Sequence, residues 1–147
     1  MTLAPTVHAS CVLVGAAGIL IRGASGAGKS RLALELMEDA RARGQFAALV
    51  ADDRVHLEAA SGRLVAHAPA AIAGRIEARG LGIVAVRHVR SAVVRLVVDL
   101  TATPDRMPAP EAAVADVEGV RLPALAVDGA AARRLAPLVL AGAGVFR

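Results

Sequence analysis

Gly23-Ala24-Ser25-Gly26-Ala27-Gly28-Lys29-Ser30 is the stretch on which the fold turns. It fits G-x-x-x-x-G-K-S, the phosphate-binding loop of P-loop NTPases. The glycines let the backbone curl so that successive N–H groups point inward at phosphate oxygens. A helix starting near Gly28 adds its positive N-terminal end to the same spot. Lys29 is the sole lysine in 147 residues; every other basic residue counted with it is arginine. It is expected to reach the outer phosphates of ATP as a compact, mobile cation, and the Ser30 hydroxyl to ligate the Mg2+ that travels with the nucleotide. A glycine-rich turn that merely fits the pattern is the competing reading. The flanks disfavour it, because a strand-like run precedes the loop and a helical run follows.

Upstream of the loop, residues 11–14 and 19–22 read as two short strands around a turn at Gly15-Ala16-Ala17-Gly18. Downstream, Leu32, Ala33, Leu36, Met37 and Ala40 recur at helical spacing, with Glu35, Glu38 and Asp39 between them, and Gly44 ends the helix. Ala47–Ala51 is a continuous apolar run, the pattern of a buried strand. Residues 55–57 and 64–66 flank Ser61-Gly62 as a hairpin. Residues 68–74 form an alanine-rich loop, 83–86 and 93–100 are strand-like, and the prolines of 101–110 mark an extended loop. Val120–Val127 reads as a strand that Pro123 places at an edge. Asp128 caps a closing helix that bends or ends at Pro137. Strands alternating with helices, without repeat or linker, predict one α/β domain over residues 1–147.

Composition narrows the function. Hydrophobic residues make up 56% of the chain, and its aromatics are Phe46 and Phe146. The core is therefore aliphatic, and no stacking platform exists for single-stranded nucleic acid. The net charge is +4, but the arginines are scattered, which describes a solvated surface better than a binding stripe. The apolar stretch 9–21 is interrupted by Gly15 and Gly18 and falls short of the roughly 20 residues a membrane span needs. No positive region precedes it, so it does not read as a secretory signal. Cys11 is the single cysteine and reads as a buried small hydrophobe. Both facts fit a cytoplasmic setting. The four histidines show no metal-ligand spacing.

A loop of this kind specifies a nucleoside triphosphate, not a reaction. Asp52-Asp53 adds to it. A carboxylate at the end of a buried strand after the P-loop helix is where such folds place an acid near magnesium and the terminal phosphate. Adjacent strand residues point to opposite faces, so the two aspartates are expected to differ in role. A surface turn opened by Asp-Asp-Arg is the plainer reading. Ile76-Glu77-Ala78-Arg79-Gly80-Leu81-Gly82-Ile83 is weaker still, and by itself reads as a tight turn with an exposed Glu77/Arg79 pair.

Taken together, G-x-S-G-x-G-K-S, then V-A-D-D-R-V, then I-E-x-R-G-L-G-I resembles HPr kinase/phosphorylase, and within it the C-terminal catalytic domain. His8 lies at the distance from the loop that the family's histidine has. The resemblance covers about residues 7–100. It implies a P-loop kinase domain similar to that of phosphoenolpyruvate carboxykinase, a mixed central sheet with flanking helices. It also implies an ATP- and magnesium-dependent serine kinase whose partner is HPr, the small phosphocarrier of the sugar phosphotransferase system. By that resemblance, Gly23 to Ser30 bind ATP, and Ser30 and Glu77 are the magnesium-associated positions. Asp53 takes the proton from the incoming serine, and His8 and Lys29 complete the site around the phosphate.

The chain also departs from the family pattern. It begins almost at the catalytic domain, and the family's Pro-Gly-Arg-Asn-type stretch near the C-terminus is not recognisable, so it resembles the short, stand-alone versions. Arg133 and Arg134 lie in the corresponding region, but no catalytic arginine is carried over to them. Phosphorylase reversal is expected to be weak, and a homo-oligomer stays open. Three rivals remain. Asp116-Val117-Glu118-Gly119 fits a GTPase D-x-x-G, yet guanine-reading N-K-x-D cannot exist in a chain without asparagine. A small-molecule kinase would need an arginine-rich lid, for which Arg87, His88 and Arg90 are the available residues. A nucleotide-sensing module without turnover is the third.

Overall fold

A computed structural model describes residues 5–107 and 109–141. Phe146 lies outside the described residues. Eleven strands and two helices are described: β1 (Thr6–Val7), β2 (Ala9–Val14), β3 (Ala17–Arg22), α1 (Lys29–Ala42), β4 (Ala47–Ala51), β5 (Val55–Ala60), β6 (Arg63–His67), β7 (Arg75–Ala78), β8 (Gly82–Ala85), β9 (Ser91–Leu100), β10 (Val114–Val117), β11 (Val120–Val127) and α2 (Gly129–Leu140). Nine strands make one mixed sheet, ordered β1-β5-β6-β9-β3-β2-β4, with β11 also against β9 and β10 outside β11. β7 and β8 form a separate two-stranded hairpin.

β9 organises the sheet. Its first residues, Ser91 to Val93, pair antiparallel with β6, and its last, Val97 to Leu100, pair parallel with β11. Its other side runs parallel to β3. Side chains alternate along it with period two. Leu96 and Val98 join a core under the helices, with Ile19, Ile21, Leu32, Leu36, Met37 and Ala132. Val97 enters a second core with Cys11, Leu20, Val50, Val55, Leu64 and Leu122, built from strands and adjoining loop residues without a helix. The sheet therefore curls over one face and takes α1 and α2 on the other. Both cores are aliphatic, as the composition requires.

The two strands expected before the loop are β2 and β3, each two residues longer than expected at its start. α1 starts at Lys29, and Gly44 (φ +76°) ends it by donating to Arg41 O, 2.9 Å. The Ser61-Gly62 hairpin is present, both turn residues left-handed as a two-residue turn requires. β4 is buried throughout, and its outer edge is covered where Leu49 exchanges hydrogen bonds with Arg87 O and Val89 N, both 2.9 Å. Asp128 caps α2 by accepting from Ala131 N, 2.8 Å. Among the described residues no helix is long and apolar enough to cross a membrane.

Four sequence readings meet these elements. β11 is paired on one side at each residue, β10 along its first half and β9 along its second, and Pro123 stands at the handover, where its missing N–H costs little, as its edge reading expects. Asp116 to Gly119 is the end and turn of the β10–β11 hairpin, with Glu118 and Gly119 at positive φ. α2 runs through Pro137 for three more residues to Leu140, because the lost hydrogen bond falls in its last turns. The 76–83 stretch is more than a tight turn, since β7 and β8 pair across it and Ile76 is buried in the helix-side core.

Candidate active site

Arg22 ends β3 and Lys29 begins α1, so the loop between them spans the end of a central strand and the start of the helix packed on it. Gly28 sits at φ +99°, a conformation that L side chains rarely adopt, and turns the chain into α1. Gly23 is a close approach: a Cβ there would stand 3.2 Å from Leu100 Cβ and 3.3 Å from Ala27 Cβ. No side chain caps α1. The N–H groups of its first turn are therefore open to an anion, in line with the dipole. Beside the loop, Arg22 Nε and Nη2 donate to both oxygens of Asp99 at 2.7 and 3.0 Å, a fork that ties β3 to β9 and raises the Arg22 pKa.

Lys29 is 94% buried, and its Nζ donates back to the carbonyls of Gly23 (2.9 Å) and Ala24 (3.1 Å). The ammonium thus lies across the mouth of the loop. Ser30 Oγ donates to Asp52 Oδ1 at 2.7 Å.

Asp52 is the hub of the site. Its Oδ1 accepts from both Ser30 and Ser10 (2.8 Å), and its Oδ2 accepts from Glu77 N (3.2 Å). A buried carboxylate with three donors has the partners its charge demands. Asp53 is different. It lies at φ +68°, with its N–H donating to Ser10 Oγ at 3.1 Å and its carboxylate 62% exposed. His8 Nε2, in the bend between β1 and β2, donates to Asp53 Oδ1 at 2.5 Å. The two aspartates differ in their surroundings, but not through strand alternation. Both lie just past β4, and a left-handed turn sends them apart.

His8, Lys29, Ser30, Asp52 and Asp53 are thereby joined to one end of the sheet. Glu77 joins through its backbone N–H, while its side chain is exposed on β7. Arg133 is elsewhere, clamped by Asp39 (2.6 and 2.7 Å) and Glu35 (3.1 Å) of α1. Composition and spacing did not single out Ser10. Its signal was a lone hydroxyl in an apolar strand, two places after His8. A cavity of about 690 Å3, lined in part by Val14, Leu36, Arg43 and Arg95, lies at the opposite end of the sheet, and no residue from Gly23 to Ser30 lines it.

The donor set fits magnesium carried by a nucleotide. Ser30, Asp52 and Glu77 offer hard oxygen atoms. Among the described residues no cluster of three or more acidic, histidine or cysteine side chains forms a protein-only cage. Magnesium needs none, since it takes one or two protein ligands and completes its shell with phosphate and water.

A glycine loop running into a helix, its lysine, and a buried acid at the end of another strand of the same sheet define a P-loop domain of α/β class. The chain belongs to the HPr serine kinase C-terminal domain family, whose match runs over residues 1–146. It is 45% identical over 80 residues to HPr kinase/phosphorylase of Clostridium tetani, covering 54% of this chain and 24% of that protein. To HPr kinase/phosphorylase of Bordetella pertussis it is 44% identical over 90 residues, covering 59% and 27%. The matched region is thus about a quarter of these relatives' length. Among solved structures, that of the Hpr(Ser) kinase/phosphatase from Coxiella burnetii superposes with a TM-score of 0.75 at 25% identity, covering 94% of this chain and 97% of that one.

Proposed function

We propose that this domain is an ATP- and magnesium-dependent kinase that phosphorylates a serine of an HPr-type phosphocarrier protein. The observation that carries it is the hydrogen-bonded line Ser30–Asp52–Ser10–Asp53–His8, which joins the nucleotide loop to an exposed carboxylate. Family membership supplies the substrate class.

The loop N–H groups and the start of α1 hold the ATP phosphates, and Lys29 swings from its carbonyls to the outer ones. Ser30 and Asp52, with Glu77 nearby, hold the metal side of the nucleotide; magnesium, when bound, neutralises charge on the phosphates. Asp53 accepts the proton of the incoming serine through the carboxylate that His8 steadies. The serine oxygen forms its bond to the γ-phosphorus as the bond to the ADP oxygen breaks. Such transfer depends on positioning and charge neutralisation. Exposure of Asp53 and His8 suits a protein substrate, which brings its own cover to the site. A cytoplasmic setting is in keeping with the free, buried thiol of Cys11.

The test is incubation with ATP, magnesium and the cognate HPr, read by mass. A gain of one phosphoryl group on serine supports the proposal. ATP turnover that leaves HPr unmodified points to a small-molecule kinase, and binding without turnover to a nucleotide sensor. Reverse transfer is expected to be weak, because Arg133, in the region of the family's C-terminal arginine stretch, is bound to Glu35 and Asp39 of α1. Serine-phosphorylated HPr with excess inorganic phosphate checks this: pyrophosphate release as fast as the forward reaction would refute it.

A further inference from the structure

We infer that Ser10 is a positioning residue for phosphoryl transfer, holding Asp52 and Asp53 in their two different orientations; this rests on the reading of Asp53 as the base. Ser10 is fully buried in β2, between Ala9 and Cys11, which are buried too. A hydroxyl there must be paired, because a buried polar group left dry and unbonded destabilises the fold. It has one proton and gives it to Asp52 Oδ1, 2.8 Å away. Its oxygen accepts the N–H of Asp53 at 3.1 Å. One hydroxyl therefore bridges the carboxylate of one aspartate and the backbone of the next.

Each bond does a separate job. The bond to Asp52 sets the plane of its carboxylate. Oδ1 then also meets the Ser30 proton, leaving the Ser30 lone pairs to face the nucleotide. The bond to Asp53 N–H fixes the peptide that enters a left-handed turn, φ +68° at a residue with a Cβ. That turn aims the Asp53 carboxylate away from Asp52 and toward His8. Alanine at position 10 would release the turn and leave an N–H without its acceptor.

The experiment is a double-mutant cycle in the ATP-to-HPr assay. Ser10→Ala is expected to lower kcat about 10-fold, the low end for loss of a group that orients a ligand or base. KM for ATP should change less than kcat does, since Ser30 and the Glu77 N–H still hold Asp52. In the Asp53→Asn background the same change should cost clearly less, because only the part that acts through Asp52 is left. Ser10→Cys keeps the volume but bonds weakly and should behave as alanine does; it also replaces alanine if that variant unfolds. Ser10→Thr retains the hydroxyl and should restore at least about half the rate. An equal loss in both backgrounds, or a full rate for Ser10→Cys, would overturn the inference and leave Ser10 a packing residue. A full rate for Asp53→Asn alone would instead overturn the base role, so the two failures read differently.

Discussion

Lys29 and the two aspartates carry the residue-scale consequences. Lys29→Ala is expected to reduce transfer by about 100-fold or more while the fold persists, because no other lysine exists to supply the charge at the outer phosphates. Initial rates with matched circular dichroism check it. Asp53→Asn should leave ATP binding intact and cut kcat by about 100-fold, the scale of a lost base. Asp52→Asn should fail in another way. Its new amide would turn a donor toward either the Glu77 N–H or the two serine protons. That raises KM for ATP and costs about 1–3 kcal/mol of stability. Titration calorimetry with ATP and denaturant melts separate the two variants. At this scale the sequence made the loop legible, since its chemistry is local. It left Ser10 unread, because a serine in a strand gains meaning only when β4 delivers Asp52 and Asp53 to it, 42 and 43 positions along the chain.

At the scale of elements, α2 is fastened to α1 by Arg133, which forks onto Asp39 and reaches Glu35. That hydrogen bond holds the Asp39 carboxyl below the usual aspartate value. Because the folded value is the lower one, the stability it confers is present above the unfolded value of about 3.9 and is lost as pH falls through the folded value. Arg133→Ala should therefore lower Tm at neutral pH, and the gap to wild type should close below about pH 3.9. Melting curves of both proteins across pH 2.5–7, as an approximate range, test the sign. A gap that persists in acid would show that Arg133 acts by packing. Helix starts and stops were readable from capping chemistry at Asp128 and Gly44. β10 was not: Val114 to Val117 is short, and a strand of four residues earns its place by pairing with β11. The β7–β8 hairpin was likewise obscured. Its anchors are distant in sequence: Ile76 in the helix-side core, and Gly74, where an added Cβ would stand 2.5 Å from His88 Nδ1.

Across the whole molecule, one long strand serves two cores. Leu96 of β9 faces the helices and its neighbour Val97 faces the curled sheet, so damage on one face is felt on the other. Leu96→Ala is expected to cost about 2–5 kcal/mol. Cys11 reports on the opposite face. Its thiol is fully buried and its pKa is pushed up to about 12 by that burial, so it resists alkylation while folded. If the cores open together, Leu96→Ala should speed iodoacetamide labelling of Cys11 in step with its loss of stability. Unchanged labelling would show that the two faces open separately. The α/β class was legible from the order of apolar runs, and the mixed sheet from the resemblance that the motifs carry. The curl was not, because it follows from β9 changing partners midway, and no local pattern announces that.

Lys29 folded onto its own loop makes this protein a self-reporting reagent. A single side-chain amine means that mild acylation, followed by cleavage at the remaining unmodified lysine, yields a yes-or-no record of one event. An endoproteinase specific for lysine has one bond to cut, Lys29–Ser30, at the threshold of α1. Intact chain after labelling counts the molecules whose loop had opened, and the same count taken with ADP, ATP or a non-hydrolysable analogue turns nucleotide occupancy into a band on a gel.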